Sequence, residues 1–139
     1  MGKLKFYALV CRNLKSVMRH NRTIATEDLV IVINTEDTEF QEAAEQYCVD
    51  AGIEHYITVS DGGPSKGKNS VLELFEASDN DYMVLVDGDD YITPHGYWTY
   101  KELAKNDYPP DVLALEYQYG IYRESGYHPA VSLLSDVAR

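Results

Sequence analysis

The sequence predicts an α/β domain with a mostly parallel central sheet and helices on both of its faces. Three observations predict it. Apolar strand-like runs alternate with helical patterns along the chain, the order that yields a parallel sheet with crossover helices. One run, "DLVIVIN" at 28–34, is continuously apolar and β-branched, as a strand covered on both faces has to be. And "YMVLVDGDD" at 82–90 carries Asp87, Asp89 and Asp90 directly behind an apolar run. That puts charge at the carboxyl end of a strand, where open α/β sheets bind their ligands.

Each element has its own signal. "KFYALVC" (5–11) reads as the first strand, and "NLKSVMRHNRTI" (13–24) as a helix with Leu14, Val17 and Met18 on one face. After "DLVIVIN", the second strand, Phe40, Ala43, Ala44, Tyr47, Cys48 and Ala51 follow the i, i+3, i+4 spacing of a second helix. Thr38 with Gln41 makes a capping box for it, and Gly52 supplies the stop. "IEHYITV" (53–59) is a third strand, followed by a polar loop, "SDGGPSKGKN" (60–69). Ser70 and Glu73 form a second capping box, opening the helix "VLELFEAS" (71–78). "DYMVLV" (81–86) is the fourth strand. Thr93 as N-cap and Pro94 at the first helical position start a helix through "HGYWTYKELAK" (95–105). "PDVLALEYQYGIY" (110–122) reads as a fifth, partly exposed strand, and the tail "HPAVSLLSDVAR" (128–139) as one short amphipathic helix. There is no internal repeat, low-complexity segment or linker, so residues 1–139 are expected to form one domain.

Composition narrows the function. The 139 residues are 45% apolar and 25% charged, a globular composition with enough chain for a hydrophobic core. The net charge of −11 opposes general nucleic-acid binding, which needs basic patches to displace counterions; it suits a ligand that arrives with a divalent cation. No run approaches the roughly 18 apolar residues of a membrane span. The apolar run "FYALVC" is shorter than the roughly 7–15 residues of a secretory core, and "MGKLKF" lacks the Ser or Thr of a myristoylation signal. Cys11 and Cys48 have no metal-ligand spacing and read as reduced core thiols of a cytoplasmic protein.

The acidic cluster and the basic loop then converge. Asp87 and Asp89, two apart across Gly88, can both approach one hard cation or its bound waters, and such oxygen donors suit Mg²⁺ or Mn²⁺. An EF-hand is excluded, because a loop starting at Asp87 has Ile92 where Gly is needed and Trp98 where Glu is needed. The plain alternative is a set of turn and cap carboxylates bonded to backbone amides. Lys66 and Lys68 lie beside an expected helix N-terminus, where free amides and the dipole favour phosphate; the alternative is two solvated lysines. "GGPSKGK" from Gly62 also fits G-x-x-x-x-G-K, but Asn69 stands where a P-loop has Ser or Thr. Strand three and strand four both end where these charges begin, so the two clusters are expected on one rim of the sheet.

Taken together, the segments resemble the GT-A fold nucleotide-sugar transferases, most closely glycosyltransferase family 2. The resemblance rests on "KGKN" (66–69) followed by "VLVDGDD" (84–90) and "YITP" (91–94), and spans about residues 3–120 with a tail from 121 to 139. It implies a single Rossmann-like GT-A domain. It also implies transfer of a sugar from a nucleoside-diphosphate sugar, a UDP-sugar first of all, to a hydroxyl acceptor. Asp89 would coordinate a Mn²⁺ or Mg²⁺ that bridges the diphosphate, Asp87 would contact ribose or a metal-bound water, and Asp90 would support the metal. Lys66, Lys68, Asn69 and Gly88 would lie along the nucleotide, with Cys11, Arg12 and Asn13 lining the base pocket.

The sequence departs from the family in two places. Asn34 and Thr35, followed by Glu36 and Asp37, stand where the family has the acidic pair that reads the base. The acceptor half, which often carries the catalytic base, is short; Glu116, Glu124, His128 and Asp136 are the remaining candidates, each equally readable as a surface or capping residue, and the base stays unassigned. Tyr91, Tyr97 and Trp98 either stack on a sugar or pack the fourth helix. A nucleotidyltransferase and a nonenzymatic nucleotide-sugar-binding subunit remain as alternatives. A homo-oligomer is expected, formed through the tail pattern Val131, Leu134 and Val137.

Overall fold

The structure is a computed structural model, and it describes residues 2–58, 64–88, 90–105, 120–123 and 126–129. The chain divides into two compact units, Met1–Pro109 and Pro110–Arg139. The first contains, in order, β1 (Leu4–Val10), α1 (Leu14–Thr23), a 3-10 turn (Thr26–Asp28), β2 (Leu29–Ile33), α2 (Thr38–Ala51), β3 (Glu54–Ile57), α3 (Pro64–Ala77), β4 (Tyr82–Asp87) and α4 (Pro94–Ala104). The described part of the second is an antiparallel pair, β5 (Gly120–Arg123) and β6 (Gly126–Pro129).

The four strands of the first unit form one parallel sheet in the order β3-β2-β1-β4. The chain steps outward from β1 through β2 to β3, then returns to lay β4 on the other side of β1. The strand order therefore reverses between β1 and β4. Leu9 pairs with Asp87, Val10 with Ile33, and Ile33 with Ile57, so the carboxyl ends of all four strands finish along one rim.

Alternation along β1 and β2 sends side chains into two cores. Phe6, Ala8 and Val10, with Leu29, Ile31 and Ile33, pack against Val17 of α1, Phe40, Ala44 and Cys48 of α2, and Tyr97 and Tyr100 of α4. Tyr7, Val30 and Val32 pack on the opposite face against Val71, Leu74 and Phe75 of α3. All five residues of β2 are buried, as its unbroken β-branched run demands. Helices cover both faces, as expected.

Several local expectations are corrected. The cap of α2 is Asp37, whose Oδ1 accepts from the Glu39 and Phe40 amides at 3.0 and 3.2 Å; a carboxylate outcompetes the Thr38 hydroxyl because its charge also meets the helix dipole. Gly52 ends this helix in the left-handed conformation with φ 70°, where glycine carries no Cβ penalty. The helix expected from Val71 begins seven residues earlier, at Pro64. Proline is pre-set for a first helical turn, and Gly67 is buried against the sheet, so packing extends the helix through a stretch that composition marks as loop. Ser70 lies inside the helix, not at its start, and its hydroxyl donates to the Lys66 carbonyl at 3.0 Å. Pro64 to Lys68 being helical also removes the P-loop reading. Cys48 is buried and its thiol is pushed up to about 11 by desolvation and then by Glu45, but Cys11, one residue beyond β1, is exposed rather than in the core.

Thr93 and Pro94 start α4 as expected, with the Thr93 hydroxyl accepting from the Gly96 amide at 3.0 Å. The fifth strand expected over 110–122 falls outside the described residues as far as 119. His128 and Pro129 end β6 instead of opening the tail helix, whose remainder lies outside the described residues.

Candidate functional site

Beyond the switch point the chain turns away from β1 through Cys11, Arg12 and Asn13, all exposed. Asn13 has φ 68°, a conformation that Asn tolerates better than most side chains. Its Oδ1 accepts from the Lys15 amide at 3.1 Å and caps α1. Next to this bend, β4 ends at Asp87 and Gly88. A Cβ on Gly88 would sit 2.7 Å from the Leu9 carbonyl oxygen and 3.2 Å from the Val10 Cα, so only glycine lets the acidic turn lie against β1. The Asp90 amide then donates to the Asp87 carbonyl at 3.0 Å, the i to i+3 closure of a tight turn.

His20 reaches this turn from below. It sits on the buried face of α1 between Val17 and Ile24 and is 1% exposed. Its Nε2 lies 3.2 Å from the Gly88 carbonyl oxygen; a carbonyl only accepts, so Nε2 carries the proton. Among the described residues Nδ1 has no hydrogen-bond partner. Burial holds the His20 pKa below its ordinary value, against the opposing pull of the Gly88 carbonyl, and Arg19 lowers it further.

The basic element arrives on α3. A Cβ on Gly67 would fall 2.6 Å from Asn34 Nδ2 and 2.9 Å from Leu9 Cδ2, so the missing side chain lets the first turns of α3 rest on the ends of β1 and β2. Lys66, Lys68 and Asn69 are exposed there. Lys68 Nζ lies 3.9 Å from Asp87 Oδ1, with the two side chains 47% and 51% exposed. A pair that open contributes little to stability; what it establishes is that the basic and acidic elements meet on one rim.

The remaining sequence-derived candidates divide. Asn34 is 1% exposed, with its amide N–H donating to the Val10 carbonyl at 2.9 Å and its Oδ1 accepting from the Thr58 hydroxyl at 3.0 Å; it ties strand ends together beneath the rim. Glu36 is exposed in the connection between β2 and α2, and Asp90 is exposed in the acidic turn. Asp89, Glu116, Glu124 and Asp136 lie outside the described residues. His128 stands opposite Ile121 in the β5–β6 pair. Tyr97 packs on Phe6 with ring centroids 5.3 Å apart, whereas Trp98 is 59% exposed and stacks on His95.

Among the described residues, no three His, Cys, Asp or Glu side chains gather as a metal site. Asp87 and Asp90, carboxylates of one tight turn, are nonetheless the hard oxygen donors that Mg²⁺ and Mn²⁺ take, so the donor chemistry fits. Sequence reasoning names no role for His20, and it places Gly67 only within the "KGKN" motif. For His20 a signal existed: Val17, His20 and Ile24 share one helix face, which makes the histidine a polar residue in an apolar stripe. For the packing of Gly67 inside a helix there was none, since its stretch reads as loop.

No known family model matches the sequence, and no curated protein sequence matches it. Solved structures do match. Residues 1–349 of S. aureus TarS, a glycosyltransferase, align with a TM-score of 0.50 at 17% identity, over 71% of this chain. The shared fold is Rossmann-like, a parallel sheet flanked by helices. The alignment covers 32% of the TarS chain, so this protein corresponds to about a third of that structure. Among the described residues no helix is long and apolar enough to cross a membrane.

Proposed function

We propose that this protein binds a nucleoside-diphosphate sugar, a UDP-sugar in the first place, together with Mn²⁺ or Mg²⁺, and transfers the sugar to a hydroxyl acceptor. One observation carries the reading: Lys68 of α3 and Asp87 of β4 meet at 3.9 Å beyond the point where strand order reverses, the place where open α/β sheets take nucleotides. Likeness of fold to a glycosyltransferase supports it.

In this reading Asp87, Asp89 and Asp90 hold the cation, with Asp89 the principal ligand. The metal, when bound, supplies positive charge against the diphosphate leaving group. Lys66 and Lys68 add charge beside the phosphates, and the N-terminal end of α3 adds a favourable dipole. Cys11, Arg12 and Asn13 line the bend next to the acidic turn and would face the base and ribose. Because Gly88 locks the turn onto β1, the donor site is set before ligand arrives, which is how charge stabilisation becomes effective in transfer reactions.

The test compares melting temperatures of wild type and Asp89→Asn, each with UDP and Mn²⁺ and each with chelator. Wild type should rise by several degrees only when both ligands are present, since binding to the native state stabilises it by mass action. Asp89→Asn removes one of three repelling charges, so the empty protein should be no less stable while the response to Mn²⁺ disappears. A mutant that melts lower when empty yet responds normally would return the cluster to a structural role. A second reading is a nucleotide-sugar-binding subunit without turnover. It predicts the same melting shifts with no UDP released from UDP-sugar.

A further inference from the structure

We propose that His20 is a positioning residue for the acidic turn: its Nε2–H, donating to the Gly88 carbonyl, sets the direction in which the carboxylates of that turn are presented. The proposal rests on the metal-assisted donor reading above. Two structural facts bear on Gly88. On one side its Cα lies so close to β1 that a Cβ would strike the Leu9 carbonyl; on the other its carbonyl is held at 3.2 Å by a ring from α1. Gly88, which stands between Asp87 and the rest of the acidic turn, is therefore held by contacts from two different elements.

The alternative is that His20 merely fills space. Its surroundings argue otherwise. The ring is 1% exposed, in a helix whose other buried residues include Val17, and its Nδ1 has no partner among the described residues. A leucine would fill that volume with no unpaired polar atom, which buried sites normally avoid. The one thing the ring provides that a hydrocarbon does not is the Nε2–H on Gly88. Partners that orient metal-binding groups from outside the coordination sphere are worth about 10- to 100-fold in metal affinity.

The experiment uses the full chain as wild type, His20→Leu and His20→Gln. Leu keeps bulk without a donor, whereas the Gln amide nitrogen stands about as far from the backbone as Nε2 and donates. Two quantities are read: hydrogen exchange of the Asp90 amide in the empty protein, and Mn²⁺ affinity in the presence of UDP from the signal of free Mn²⁺. His20→Leu should exchange the Asp90 amide about tenfold faster, with β1 and β2 amides unchanged, and should bind Mn²⁺ about tenfold or more weakly. His20→Gln should recover most of both. Wild-type values for both in His20→Leu overturn the proposal, and so do equal losses in Leu and Gln. A wild-type ring protonated on Nδ1 alone, by nitrogen NMR, overturns it without any variant. If wild type takes up no Mn²⁺, the donor reading fails separately, and the Asp90 exchange ratio still decides whether His20 holds the turn.

Discussion

Lys68 and Asp87 are each about half exposed at 3.9 Å, so their mutual attraction is screened and their importance lies in what they would bind. Lys68→Ala should therefore change unfolding free energy by no more than about 1 kcal/mol. The same substitution should weaken UDP binding in Mn²⁺ by roughly 1.5–3 kcal/mol, one to two decades, through loss of a charge-assisted contact. Lys68→Arg should retain most of it. Equal UDP affinity in Lys68→Ala and wild type, by calorimetry, would leave these lysines as solvated surface. His20 predicts a pH effect of opposite character. Burial depresses its folded pKa below the ordinary 6.5, so in mildly acidic solution the unfolded chain binds a proton that the folded chain refuses. Stability is then complete above about pH 6.5 and declines as pH falls from there toward the folded pKa, by at most about 1.4 kcal/mol per pH unit from this group. Urea midpoints on either side of that range should show the decline in wild type and a smaller one in His20→Gln; identical slopes would remove His20 as its source.

At the scale of elements, two glycines set how closely segments approach β1, and they should not cost the same to replace. On Gly67 a Cβ meets the ends of the Leu9 and Asn34 side chains, which yield at a modest overpacking cost of about 1–3 kcal/mol. Alanine also gains roughly 0.8–1 kcal/mol of helix propensity over glycine. Gly67→Ala should thus lose about 0–2 kcal/mol and weaken UDP binding by moving the start of α3 off the rim. On Gly88 the Cβ meets backbone, the Leu9 carbonyl at 2.7 Å, which cannot step aside without disturbing strand pairing. Gly88→Ala should lose about 3 kcal/mol, the upper part of the overpacking range, and abolish the Mn²⁺ response. Chemical denaturation of the two variants gives the order; Gly67→Ala as the costlier of the pair contradicts this account of the rim.

For the molecule as a whole, every site residue that the structure describes, apart from His128, belongs to the Met1–Pro109 unit. Among the described residues that unit has two core clusters and a four-stranded parallel sheet. Residues 1–109 expressed without the remainder should unfold cooperatively and keep the UDP and Mn²⁺ melting shift. A truncated chain that is folded but has lost this shift would assign part of donor binding to residues 110–139. The apolar pattern Val131, Leu134 and Val137 leads us to expect the full chain as a homo-oligomer and the truncated one as a monomer. Light scattering on both checks this, and a monomeric full chain at micromolar concentration rules it out.

Elements whose signals are periodic or chemical are legible from the residues alone. The unbroken apolar run of β2 could only be a doubly covered strand, Gly52 could stop α2 without strain, and Thr93–Pro94 could start α4 with satisfied amides. It also put carboxylates at the end of β4, because Asp87 follows an apolar run without interruption. Where α3 begins depends on packing. "SDGGPSKGKN" has no helical period, and what makes 64–70 helical is the burial of Gly67 against Leu9 and Asn34, a contact between residues far apart in the chain. The same holds for Cys11, which sits at the rim because the strand ends one residue earlier, and for Asn34, whose amide faces Thr58 beneath the rim. His20 is the clearest case. Its place in the apolar stripe of α1 was legible, but its partner is a backbone carbonyl 68 residues away, and no local pattern encodes which carbonyl a buried ring will meet. Periodicity is a property of neighbours in sequence, whereas the site is made where crossovers bring the ends of β1 and β4 together.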